Sequence, residues 1–403
     1  MERIVYRELK STPQVWGMLA LLAGFIGAAA ASVLYVEHHG HIVTGMTNQI
    51  VWGLPHVFAI FLIVAASGAL NVSSIGSVFG KTAYKPVARL SSLLAMALLM
   101  GGLAVLVLDL GRPDRLIVAM TKYNFRSIFA WNVLLYTGFL AVVGVYLYAQ
   151  MARGVHSFAL RTAGTVAFLW RLALTTGTGS IFGWLVARPG YDAAIMAPMF
   201  IAMSFAFGLA FFLIVMTWTC RMTTRVFSPE LRTRQARLLG VFVAVVVYFT
   251  IIQHLSNIYV AEHTGYERFI LLEGGLYTWL FWGAQIGLGS IVPMILLFHP
   301  KLDTKFGYVI LAALLVVLGG FAQLYVIIVG GQAYPMDMFP GLEVSSSFYD
   351  GVVSQYSPSI YEWALGIGGV ALTLFVTGLG MKFLRILPDN LTDENIDPST
   401  LAG

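Results

Sequence analysis

WGLPHVFAIFLIVAASGALNVSSIGSV, residues 52–78, decides the fold. From Leu54 to Val78 it contains no Asp, Glu, Lys or Arg. At a rise of about 1.5 Å per residue, such a run crosses roughly 30 Å of hydrocarbon as one helix. Runs of the same kind recur on both sides of it, at 14–36, 87–109, 128–151, 160–185, 194–219, 236–260, 276–297, 308–329 and 361–384. The expected fold is therefore all-α, a polytopic membrane protein of about ten transmembrane helices. The first run follows a charged N-terminus as a signal peptide would, but it is long for the apolar part of one and reads as a span.

Composition agrees. Of 403 residues, 58% are hydrophobic and 11% charged, against roughly a quarter charged in a soluble domain. The 41 glycines lie largely beside Ala and Ser within the apolar runs, where small residues let membrane helices approach closely. One cysteine, Cys220, excludes an internal disulfide and a cluster held by four thiolates. The net charge of +5 is carried in short loops between apolar runs, a pattern that sets topology and does not suit nucleic acid.

With a cytoplasmic N-terminus, 17 basic residues fall inside and six outside, the latter being Arg112, Arg115, Lys122, Arg126, Arg188 and Arg268. The positive-inside rule then puts both termini in the cytoplasm, as expected for a multi-pass protein of a bacterial cytoplasmic (inner) membrane. Arg3 is among the inside residues, and Asp337, Glu343 and Asp350 make the last outer loop acidic. A shift of about 150 residues carries Phe61-Leu62-Ile63-Val64 onto Phe212-Leu213-Ile214-Val215, Ala88-Arg89-Leu90 onto Ala236-Arg237-Leu238, and Trp131 onto Trp279. This internal repeat predicts two four-helix bundles with two flanking helices. The expected division is 1–53 (N-terminal segment and first helix), 54–185 (first bundle), 186–330 (second bundle) and 331–403 (outer loop, last helix and tail).

Three polar clusters stand at the outer ends of spans two, three and four: Trp52 to His56, Asp109 to Arg115, and Tyr123 to Arg126 with Trp131-Asn132 one turn in. Antiparallel neighbours bring all three to one depth. A histidine, a carboxylate, guanidiniums and amides around one pocket suit a quinone, whose two-electron chemistry moves two protons. An imidazole changes charge near neutrality, so His56 and Asp109 are the candidate proton acceptors. The alternative is a salt-bridged interfacial cap of Asp109, Arg112, Asp114 and Arg115. Four of the six outer basic residues crowd this loop against the charge rule, which asks for a reason.

Arg171 lies deep in a span and is followed by Thr175, Thr176 and Thr178. Intramembrane ionisable residues are functional candidates. Arg171, Thr175, Thr178 and, in the second bundle, His254 form a candidate proton path, with a snorkelling arginine as the other reading. Gln253, Asn257, Glu262, His263 and Glu273 suggest structure or partner docking. Only His56 and His254 of eight histidines lie in spans, too few for paired haem ligands, and His38, His39 and His41 read as a solvated loop, so no haem, iron–sulfur or metal site is expected.

At these residues the chain resembles the NrfD/PsrC family of quinone-interacting membrane subunits, in its long ten-helix branch. The resemblance runs through WGLPHVFAIFLIVAASG, the LDLGRP of 108–113, YNFRSIFAWNVLLYTG of 123–138, GGLYTWLFWGAQIGLGSIVPMILL of 274–297, GGQAYPMDMFPG of 330–341 and SPSIYEWALGIG of 357–368. It is most like the DsrP-type subunits of the sulfite-reductase-associated DsrMKJOP complexes. The resemblance implies menaquinone or ubiquinone bound near the outer surface and no redox cofactor in the chain itself. It also implies a periplasmic, ferredoxin-like iron–sulfur partner, with a multihaem cytochrome c and further membrane subunits beyond it. It maps quinone contacts onto Trp52, His56, Asp109, Arg112 and Asn132, and a tyrosine of the family onto Tyr123 or Tyr136. Two other classes stay open from the residues alone, a secondary transporter and a purely structural membrane anchor.

Overall fold

A computed structural model describes residues 5–223, 225–303, 305–336, 351–389 and 391–392. Arg3, Asp337, Glu343 and Asp350 lie outside the described residues. Helices dominate: α1 (Pro13–His39), α2 (Leu54–Ser77), α3 (Ala88–Leu108), the short α4 (Leu116–Thr121), α5 (Ile128–Met151), α6 (Ser157–Gly183), α7 (Met196–Thr223), α8 (Pro229–Tyr259), α9 (Leu276–Phe298), α10 (Phe306–Ala333) and α11 (Ile360–Phe383). Nine of these are long and apolar enough to cross a membrane. The tenth expected span is α6, equally long at 27 residues but more polar, with Arg161, Arg171 and five threonines. The protein is an all-α, polytopic membrane protein.

Local chemistry sets the ends. Thr12 caps α1 by accepting from Val15 N, with Pro13 in the first turn, where a missing N–H costs nothing. Ser359 and Glu362 form a reciprocal capping box at the start of α11, satisfying two N-terminal donors at once. Helix α8 begins at Pro229, seven residues before the apolar run at 236, because Ser228 caps it and Glu230 pairs with Arg234 one turn on. Helices α9 and α10 each contain a π-helical stretch, Leu280–Ile291 and Val326–Gly330.

Helix α2 is the centre, buried at nearly every position and packed against α3, α6, α7 and α11. Helix α5 lies on α6, α10 joins α7 and α9, and α1 packs on α11 with most of its surface outward. The segments that carry the repeated Phe-Leu-Ile-Val, α2 and α7, lie against each other. Their contact is backbone to backbone. A Cβ on Gly68 would stand 1.5 Å from Ser204 O, and one on Gly208 2.0 Å from Ala69 N. One end of the molecule gathers residues 52–56, 109, 132, 178–191, 328–332 and 356–362. At the other end the strand Tyr6–Arg7 pairs antiparallel with Leu387–Pro388, holding the two terminal segments together.

Gly208→Ala has no room for its methyl and is expected to destabilise the protein by about 3 kcal/mol or more, at the upper end of overpacking costs. Gly17→Ala, where nothing lies within 4 Å, is expected to leave stability unchanged or slightly raised. Thermal unfolding of both variants in detergent checks the contrast.

Candidate functional site

The loop into α2 places the first two functional side chains. Its backbone N–H groups have no partners within the helix and are met by side chains from far along the sequence. Val51 N and Trp52 N both donate to Gln332 Oε1 at 3.0 Å, and Gln332 Nε2 donates to Trp52 O at 2.9 Å. Leu54 N donates to the Tyr356 hydroxyl at 2.6 Å, which donates to Glu362 Oε1. Glu362 Oε2 accepts from Gly45 N and Ser359 N, each at 2.7 Å. Arg188 donates to Gln332 O and Gln49 O. Held this way, the Trp52 indole lies nearly parallel to both the His56 ring and the Tyr191 ring, with centroids 6.1 Å apart in each case.

Asp109 caps the C-terminus of α3. A carboxylate there faces the negative end of the helix dipole, and a basic ring stands beside it: His56 Nδ1 lies 2.7 Å from Asp109 Oδ2, at an angle that does not form a hydrogen bond, with both side chains largely buried. On its far side Asp109 borders a second, water-sized cavity of about 10 Å³ shared with Thr44 and Glu362. His41 Nε2 lies 3.2 Å from Asp109 O.

In front of His56 opens a cavity of about 380 Å³ between α3 and α5, within the size range of small-molecule sites. Its lining is apolar apart from a few groups: Trp52 and His56 on one side, Asn132, Tyr136 and Thr137 on the other. Leu116 and Met120 of α4 close it above, and Ile328 of α10 forms part of the wall. Phe129 and Thr137 line it and are also exposed on the outside of α5, so the cavity has a side mouth. Asn132 Nδ2 donates to Ile128 O and Gly177 O, and the hydroxyls of Tyr136 and Thr178 lie 3.2 Å apart.

Of the residues singled out from the sequence, Trp52, His56 and Asn132 line this cavity, and Asp109 backs it through His56. Arg112 does not reach it. After Leu110 the backbone turns outward through a 3-10 turn at Pro113–Arg115, leaving Arg112 exposed and bonded through Nε and Nη2 to the two oxygens of Asp114. That hydrogen bond holds the Asp114 carboxyl below its usual range. Tyr123 stacks on Phe125 outside the lining; the tyrosine in the cavity is Tyr136. Arg171, Thr175 and Thr178 share one buried face of α6. His254 stands apart from them in the second half of the sequence, with Nδ1 2.5 Å from Glu267 Oε2. Asn257 also donates to Glu267, at 2.8 Å, and His263 approaches Asn257.

Residues 42–335 match the protein family described as polysulphide reductase, NrfD. The chain belongs to the NrfD family. It is 27% identical to the Hdr-like menaquinol oxidoreductase integral membrane subunit of Archaeoglobus fulgidus, over 95% of this chain and 96% of that one. To a putative dimethyl sulfoxide reductase membrane subunit of Halobacterium salinarum it is 29% identical, over 93% and 92%. A polysulfide reductase polypeptide of Wolinella succinogenes is 24% identical, over 71% of this chain and 96% of its own length.

The NrfD match takes in every residue of the cavity lining, from Trp52 to Ile328, and stops before Tyr356 and Glu362. Sequence reasoning missed Arg188, Glu267, Gln332, Tyr356 and Glu362. None shows a local pattern that announces it, because each acts on backbone or side chains that only the fold brings near. Glu362 left a trace as the acid three residues after Ser359, and Gln332 lay unremarked within the GGQAYPMDMFPG stretch of the family resemblance.

Gln332→Leu keeps the side-chain size and removes the three bonds that fix the Trp52 main chain. Binding of a quinone analogue, followed by Trp fluorescence, is expected to weaken about tenfold, some 1.4 kcal/mol, with the helical content unchanged.

Proposed function

We propose that this protein is the quinone-binding membrane subunit of a respiratory redox complex. It exchanges electrons between the membrane quinone pool and an iron–sulfur partner docked at the cavity end. The observation that carries the reading is the His56–Asp109 pair set against an apolar cavity. A quinone ring needs apolar walls for its faces, hydrogen-bond groups for its two oxygens, and one group that takes or gives a proton. Trp52 and Phe129 are flat surfaces, and Asn132 and Tyr136 are polar groups across from His56.

In the direction of quinol oxidation, the quinol hydroxyl donates to His56 Nε2 while the proton on Nδ1 is held toward Asp109. Asp109 then takes that proton and releases it outward, and the second quinol proton follows by the same route once exchange with solvent has returned the imidazole from its Nε2–H to its Nδ1–H form. The two electrons would leave one at a time for iron–sulfur clusters of the partner, and both protons leave on the cavity side by way of Asp109. The same pair, reloaded, protonates a reduced quinone in the opposite direction. The menaquinol named in the Archaeoglobus fulgidus relative supports a quinone as substrate; the polysulfide reductase relative favours sulfur metabolism as the setting, in line with a DsrP-type complex.

The same reading places the protein in a bacterial cytoplasmic membrane with both termini inside and the cavity near the outer surface. A secondary transporter would hold its site near the bilayer midplane, whereas the His56–Asp109 pair lies at helix ends. Asp109→Asn is expected to lower quinol turnover about a hundredfold, the scale of a lost general base, with the complex still assembled. Turnover equal to wild type in the purified complex would remove Asp109 from the reaction. Failure of the pure protein to retain quinone or to bind an analogue would favour a structural anchor.

A further inference from the structure

We propose that Arg171 is a fixed cationic barrier that stops protons from passing between the cavity and the opposite face of the membrane. The proposal rests on the quinone reading for the cavity's occupant alone; the barrier itself is a property of the protein without any guest.

Groups of buried polar side chains follow one another along α2 and α6 through the first half of the fold. They begin at the cavity with Asn132 and Tyr136, which contact Thr178. One turn further along α6, Thr175 donates to Ser67 Oγ at 2.5 Å, and Ser67 donates to Arg171 O. Beyond Arg171 and Asn71 the same α2 helix presents Ser73, joined to Ser91, Tyr146, Ser92 and Gln150. Gln150 O accepts from Arg89 Nε at the end where the termini pair. Such hydroxyls and amides would pass protons if water bridged the gaps between Thr178 and Thr175 and between Asn71 and Ser73.

Arg171 stands midway. It is fully buried, and among the described residues no carboxylate forms an ion pair with it. Its donors are poorly used: Nη1 reaches Ser67 O at 3.4 Å, Nη2 reaches Asn71 Oδ1 at 3.3 Å, and Nε has no partner. The rings of Phe168 and Phe205 flank the guanidinium at 4.8 and 4.6 Å, confining it without neutralising it. An arginine used merely to bridge carbonyls would make shorter and more complete bonds. An uncompensated buried charge is costly, which argues for a role in which the charge itself is what matters. A guanidinium neither gives nor takes a proton in a protein, so it cannot relay one, and a fixed cation in a narrow polar path repels hydronium. Protons for the His56–Asp109 pair must then enter and leave at the cavity end.

The test is passive proton flux into liposomes carrying the full-length protein, driven by a potassium diffusion potential and read by an internal pH dye. Wild type is expected to match protein-free vesicles. Arg171→Gln is expected to admit protons about fivefold faster or more, once the charge that excludes them is gone. Thr175→Val added to Arg171→Gln should restore tightness by breaking the track. Asn71→Asp, which sets a carboxylate against the guanidinium at nearly constant volume, should also raise the flux and serves if Arg171→Gln does not fold. Folded Arg171→Gln or Asn71→Asp protein with wild-type flux overturns the proposal, as does a wild-type flux already above that of empty vesicles. Binding of 2-heptyl-4-hydroxyquinoline N-oxide to the same samples reads the quinone site separately, so loss of binding with an intact barrier counts against the quinone reading only.

Discussion

Backbone N–H groups that leave a helix end inside an apolar fold must find acceptors, since lipid supplies none. The loop before α2 meets this requirement with Gln332, Tyr356 and Glu362, all from the last quarter of the sequence. Trp52 and His56 are fixed by that arrangement, because both stand on the segment so held. The cavity is thus built by two distant parts of the sequence: α2 to α6 contribute most of its lining, and the end of α10, which adds Ile328, sets its geometry together with the start of α11. Neither part makes the site alone.

The helices α2 and α7, which share the Phe-Leu-Ile-Val stretch, touch at Gly68 and Gly208. The polar residues at corresponding positions differ. The step along the sequence that carries Ala88 onto Ala236 and Trp131 onto Trp279 carries Asp109 onto Asn257. The second half also pairs a half-buried histidine, His254, with a buried carboxylate, but its acid is Glu267 on the short stretch after α8, with Asn257 as donor to it. One half opens a cavity of substantial volume beside its pair; the other packs Phe281 against His254.

Much of the fold was legible because hydropathy over about 20 residues answers directly to the bilayer. The helix at 128–151 has the bounds read from the sequence, and α2 differs by one residue. Where polar residues keep helix-forming character, as in Pro229 to Gln235, the apolar run understates the helix. For the site, the depth argument brought His56 and Asp109 together. It failed for Arg112 and Tyr123, because sharing a depth says nothing about which way a loop residue turns, and Pro113 turns this loop outward. Gln332, Tyr356 and Glu362 were hidden for a related reason: their partners are main-chain atoms some 280 to 317 residues earlier, and a backbone amide has no letter in the sequence.

The side mouth at Phe129 and Thr137 opens on the exposed face of α5, an apolar helix long enough to span the bilayer. A guest using it passes from oil to protein without being hydrated on the way. Its supply is therefore governed by its mole fraction among the lipids and by lateral diffusion within the leaflet. For a quinone, the guest proposed above, a long isoprenoid tail would impose little penalty, since it would stay dissolved in the bilayer while the ring alone entered.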